Sequence, residues 1–136
     1  MGAHRNNLLF KASSLTLNSN TDHVTAAVTN EVTGRTGAID ISRISSGLLV
    51  VHVANAPTGS SPTLAVFFEV ADEFGNWVLT SNATAISGAV ITSSGYTYGQ
   101  ITNGYTLGNT GRIRWAVGGT GSPSFTGVGF SLYGRP

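Results

Sequence analysis

Nine side chains in this sequence are of types that do acid–base or metal chemistry: His4, His23, His52, Asp22, Asp40, Asp72, Glu31, Glu69 and Glu73. Hydrolysis needs a nucleophile held by a base, or two carboxylates facing one cleft. None of the nine is spaced for either. His4 lies in a polar N-terminal stretch where positioning is poor, and His23 follows Asp22 at a turn. His52 sits inside an apolar strand pattern, the setting of a packed or interface histidine. A cupin-like metal centre requires several His and Glu at strand spacing, and no such set is present. Cysteine is absent, which excludes disulfides and thiolate metal sites. The residues therefore point away from an enzyme, a metal centre or a cofactor site.

Other motifs read the same way. Asp72-Glu73-Phe74-Gly75-Asn76 is an acidic turn, but Phe74 and Gly75 interrupt the alternating oxygens that a calcium loop needs. It reads as a turn in which Asp72 caps its own backbone. Gly118-Gly119-Thr120-Gly121 lacks the Lys and the following helix of a phosphate loop, so it reads as a hairpin connection. Asn82-Ala83-Thr84 fits a glycosylation sequon. Arg112 and Arg114 project from the polar side of one strand, either solvated or paired with acids of a neighbouring subunit. Trp77 and Trp115 fall in strand patterns and read as core; exposed together with Tyr96, Tyr98 and Tyr105, they would instead make a sugar-stacking platform.

The elements that must carry these residues are strands. Thr, Val, Ile and aromatic residues dominate, punctuated by 18 glycines, with no apolar periodicity of a helix. Residues 1–14 read as a flexible polar arm with one apolar anchor, Leu8-Leu9-Phe10. Strand patterns follow at 15–17, 24–29, 39–41, 48–54, 63–71, 77–80, 89–92, 96–101, 112–117 and 125–133. Residues 48–54 and 63–71 are apolar on both faces, whereas 112–117 alternates, with Ile113, Trp115 and Val117 on one side. Ala56 to Pro62 reads as a loop, and Asn103-Gly104 is the best short hairpin signal. Turn signals every 8–12 residues imply an all-β fold, a β-sandwich of jelly-roll or related Greek key type with an extended N-terminal arm. The expected organisation is the arm, 1–14, and a single β-sandwich domain, 15–136.

Charge is the unusual quantity. Only 10% of the 136 residues are charged, against about 25% in an average soluble domain. Seven basic and six acidic residues leave a net charge of +1, with no basic cluster to bind nucleic acid. No apolar run approaches the length of a membrane span, and the N-terminus is too short in apolar residues for a secretory signal. Such a surface is either hydroxyl-rich and neutral or covered by neighbours.

Two stretches carry a resemblance. One runs through Leu48-Leu49-Val50-Val51, Pro62-Thr63-Leu64-Ala65-Val66, Glu69, Asp72 and Gly75-Asn76-Trp77. The other runs through Arg112-Ile113-Arg114-Trp115, Val117-Gly118-Gly119-Thr120 and Pro123-Ser124-Phe125-Thr126 to Phe130. Together they resemble the capsid decoration, minor head or head-fibre proteins of tailed bacteriophages. That resemblance implies a virion protein on the outer surface of the capsid. It would bind the major capsid protein, bridge its subunits and associate with itself, as a trimer. Leu8, Leu9 and Phe10 would anchor the arm, and Arg112 and Arg114 would lie at an interface. A tail or baseplate component and a carbohydrate-binding β-sandwich module are the alternatives.

Overall fold

The computed structural model describes residues 7–18, 23–24, 28–79, 90–101 and 109–135. Eight strands follow in order: β1 (Asn7–Asn18), β2 (His23–Val24), β3 (Ile39–Asp40), β4 (Ser46–Val53), β5 (Thr58–Ala71), β6 (Trp77–Leu79), β7 (Gly95–Ile101) and β8 (Thr110–Arg135). All described pairings are antiparallel.

The last strand organises the rest. The first part of β8, Gly111 to Gly118, pairs with β5, and β6 lies beyond β5. On its other side, the first part of β8 meets β2 and β3. The second part of β8, Ser124 to Arg135, pairs with β1 on one side and β4 on the other, and β7 lies beyond β4. Trp115 and Phe130 belong to the two parts, yet their rings stack with centroids 5.1 Å apart. Fifteen residues of extended strand would separate them by about 50 Å. The strand therefore doubles over, and its two parts belong to two facing layers. The chain is an antiparallel β-sandwich.

Alternation supplies the core between the layers. Leu64, Val66 and Phe68 of β5 and Ile113 and Trp115 of β8 are buried from one layer. Phe10, Ala12 and Leu17 of β1, Leu49, Val51 and Val53 of β4, and Phe125, Val128, Phe130 and Leu132 of β8 are buried from the other. A period of two cannot run unbroken through 26 residues that change layers, so the alternation slips where the backbone bulges. In the β1–β8 ladder, three steps from Ala12 to Leu15 face two steps of β8. Two steps from Leu15 to Leu17 then face three, from Val128 to Phe125. Ser14 and Gly127, both at positive φ, absorb the extra residue of each bulge.

The corner between the layers is closed by backbone alone. A Cβ on Gly59 would sit 2.7 Å from the Cα of Pro123, and a Cβ on Gly119 would sit 2.8 Å from the carbonyl oxygen of Ser61. Both glycines also have φ above +100°. No other residue meets both demands.

Four expectations are corrected here. Residues 7–14 are no flexible arm. They form most of β1, because Phe10 (1% exposed) and Ala12 alternate inward and join the core. Residues 1–6 lie outside the described residues. Gly118 to Pro123 is not a hairpin turn: the two flanking segments do not pair with each other but continue as one bent strand along β5. Thr58 to Pro62, read as loop, already belongs to β5 for the same reason. The 24–29 pattern is strand only at His23–Val24 among the described residues. The Asn103-Gly104 turn and the Asn82 sequon lie outside the described residues.

Because β1 contributes core and not an appendage, Phe10→Ala should cost about 3–5 kcal/mol of folding stability. Denaturant unfolding of the full chain checks this. A loss under 1 kcal/mol would return Phe10 to a detachable anchor.

Candidate functional site

Each layer has an outer face, and the two differ in chemistry. On the β5–β8 layer, Glu69 stands opposite Arg112, and Phe67 opposite Arg114. Arg112 Nε donates to Glu69 Oε1 at 2.7 Å, and Arg114 Nε donates to Glu69 Oε2 at 3.0 Å. The Arg112 guanidinium lies 4.4 Å over the Trp77 ring, and that of Arg114 lies 4.2 Å over Phe67. Ring, cation, carboxylate, cation and ring thus form a ladder across three strands. Glu69 is buried, while the arginine side chains keep about a quarter of their surface. A carboxylate engaged on both oxygens by two cations is a poor proton shuttle and a good fastener. Arg112 and Arg114 are therefore both paired with Glu69 inside their own chain.

The outer face of the β4–β8 layer carries almost no charge. Residues directly opposite across an antiparallel pair share a face. Tyr133 stands between Leu8 and Leu48, Ser131 between Lys11 and Val50, and Val50 and His52 lie beside Tyr98 and Tyr96. Tyr96 and Tyr98 are 76% and 69% exposed and Leu8 is 37% exposed. The His52 ring stacks against Tyr96 with centroids 4.4 Å apart and planes 12° from parallel. The result is an aliphatic and aromatic strip across four strands, with Lys11 beside it and Arg135 at its end. Exposed apolar strips of this kind mark binding surfaces.

The predicted anchor is divided by this geometry. Leu8 lies on the outer strip, Leu9 packs half-buried against the core and Phe10 is inside it. Leu8 and Leu9 also border an open depression of about 970 Å³ with Val32, Arg35, Arg43 and Ile44. Trp115 is core, as expected, whereas Trp77 is half-buried beneath Arg112. Tyr105 and His4 lie outside the described residues. Tyr96 and Tyr98 are legible in the sequence as candidate exposed rings, but Leu48, Val50 and His52 beside them read as covered on both faces. The signal of the whole strip was the alternation of Tyr96 and Tyr98, in phase with His52.

Three further acids, Asp72, Asp40 and Glu31, bond within turns or to the neighbouring strand. Asp72 accepts from the backbone N–H groups of Phe74 and Asn76 and from Asn76 Nδ2. These bonds, the Asn76 N–H foremost, hold its carboxyl below the usual range. Asp40 is lowered in the same way by the Ser42 hydroxyl and N–H. Glu31 accepts from the N–H and hydroxyl of Ser13, and buried Asn30 accepts from Lys11 N–H and donates to the Leu9 carbonyl. The turn at 30–35 thereby closes the outer edge of β1. Among the described residues no three His, Asp or Glu side chains converge.

No family model matches the chain, and no curated protein matches it. Solved structures do. The CBM22-1 xylan-binding domain of Paenibacillus barcinonensis Xyn10C aligns with a TM-score of 0.51 at 12% identity, covering 99% of each chain. The CBM22-1-CBM22-2 tandem domain of the same Xyn10C gives 0.54 at 12% identity; all of this chain aligns, spanning 48% of that one. Desmodium yellow mottle tymovirus gives 0.44 at 11% identity, covering 99% of this chain and 87% of that chain. At this identity the likeness is one of fold, a jelly-roll β-sandwich.

Removing the shared carboxylate should hurt more than removing the whole ladder. Glu69→Ala leaves two neighbouring cations unopposed and should cost about 2–3 kcal/mol. Replacing Glu69, Arg112 and Arg114 together by Leu, Met and Met should recover most of it; chemical denaturation measures both. Asp72→Ala should lower stability at neutral pH. Since the folded carboxyl is depressed, its contribution is present above the unfolded value of 3.8 and fades as pH falls through the lower folded value. Thermal melts of both proteins should converge below that pH.

Proposed function

We propose that this chain is a virion structural protein, a capsid decoration subunit that docks on the outside of a phage shell and bridges its subunits. The observation that carries the reading is the nearly uncharged outer strip of the β4–β8 layer, Leu8, Tyr133, Leu48, Val50, Tyr98 and Tyr96. On the opposite layer the charges facing outward are spent on one another. A single molecule gains nothing by holding such a strip in water. Against a shell the strip is desolvated, and repetition over many symmetric sites multiplies a weak contact into firm attachment. The jelly-roll frame and the resemblance to decoration proteins support the same reading, with the major capsid protein as partner and self-association as part of the assembly.

A second reading rests on one observation. Tyr96 and Tyr98 stand exposed on alternate positions of one strand, with His52 bracing Tyr96. Aromatic rings so presented stack on sugar faces, and one of the Paenibacillus structures that align with this chain is a xylan-binding domain by name.

One experiment separates the two. Cryo-electron microscopy of virus particles carrying this chain should show it on the outer shell with Leu48, Tyr98 and Tyr133 toward the capsid. Leu8→Glu should weaken attachment at least about tenfold without lowering the melting temperature. A chain absent from particles whose tyrosine fluorescence saturates with xylo-oligosaccharides would favour the saccharide reading and end the first.

A further inference from the structure

The two edges of the β4–β8 layer are treated differently. The free edge of β1 is closed by the 30–35 turn, whose Asn30 and Glu31 take up the Leu9 carbonyl and the Lys11 and Ser13 N–H groups. At the other edge stands β7. It pairs with β4 over seven consecutive residues without a register shift, and among the described residues no strand pairs with its far side. It holds no charge, no proline and no bulge, the usual devices that keep a sheet edge from pairing with another chain.

The sequence of that edge is symmetric. Gly95-Tyr96-Thr97-Tyr98-Gly99 reads the same in both directions about Thr97. A two-fold axis through Thr97 sets an antiparallel copy so that Gly95 meets Gly99 and Tyr96 meets Tyr98, each pair twice. That is what an isologous contact requires, since every residue must suit both its own position and its mate's. The rings also suit it. His52 and Tyr96 are neighbours on adjacent strands, and their rings are nearly parallel at 4.4 Å. That separation is close to the spacing between strands, so the rings stand upright with their faces along the direction of strand addition. The second face of Tyr96 is turned to the position that the next strand would fill.

We propose that β7 pairs with β7 of a second copy of this chain about a two-fold axis at Thr97. The pairing extends the stack from His52 through Tyr96 to Tyr98 of the partner subunit and joins the two outer strips into one sheet face. This deepens the self-association part of the reading above and replaces the three-fold copy number implied by the resemblance with two.

Sedimentation velocity of the full chain over a concentration series tests it. The wild type should form a two-chain species. Tyr96→Lys/Tyr98→Lys places like charges opposite each other across the axis and should raise the dissociation constant at least about tenfold. Tyr96→Glu/Tyr98→Glu should do the same alone, and an equimolar mixture of the two variants should restore the pair. Circular dichroism melts verify that both variants fold; if either does not, Tyr98→Lys alone, at a more conservative single site, carries the test. A wild type that stays monomeric, forms trimers, or pairs equally well with both lysines in place overturns the proposal. So does a monomer whose tyrosines answer only to xylo-oligosaccharide. A two-chain species that fails to decorate particles leaves the pairing standing and removes only the docking reading, and decoration by single chains does the reverse.

Discussion

Everything in this molecule hangs on one strand serving two layers. β8 lies at the centre of both, with β5 beside its first part and β1 and β4 flanking its second. That arrangement holds only if the strand can fold over at 118–123 while staying paired to β5, and the glycines at the corner are what permit it. Trp115 against Phe130 then closes the interior from both sides. The bulges at Ser14 and Gly127 follow from the same geometry, because a bent central strand must shed and regain a residue to keep its apolar side chains inward.

The outer faces show how few charges the fold needs. One buried carboxylate between two arginines fastens β5 to β8, with Trp77 and Phe67 covering the cations. An ion pair so enclosed contributes more to register than to net stability, since taking the charges from water offsets much of their attraction. The other face has no such fastener and depends on half-buried aliphatic and aromatic contacts. A sparsely charged chain thus divides its surface into one side fixed by its own ions and one side free to meet something else.

Much of this was legible from residue types. Alternation marked Ile113 and Trp115 as inward, and turn chemistry marked Asp72 as a cap. What escaped was long-range. Nothing near Gly118 reveals whether a glycine run reverses a strand or merely bends it, because the answer lies in β5, some sixty residues earlier in the chain. Phe10 looked like a sticky end because its partner, Leu132, is at the far end of the sequence. Glu69 could not be matched to Arg112 and Arg114 without the register of β5 on β8. The β4 part of the strip was hidden by a rule that reads a continuous apolar run as doubly covered, when one side of β4 is only half-buried.

The pairing of the first strand with the last has a consequence for synthesis. β1 pairs with residues between Ser124 and Gly134, and β4 pairs with the same stretch on its other side, so until β8 is made, among the described pairings, β1 has no ladder and β4 has only β7. Folding by such distant contacts is slow to begin and waits on the second part of β8. A chain cut short within 124–135 would lack the middle of a layer, so that layer forms whole or not at all.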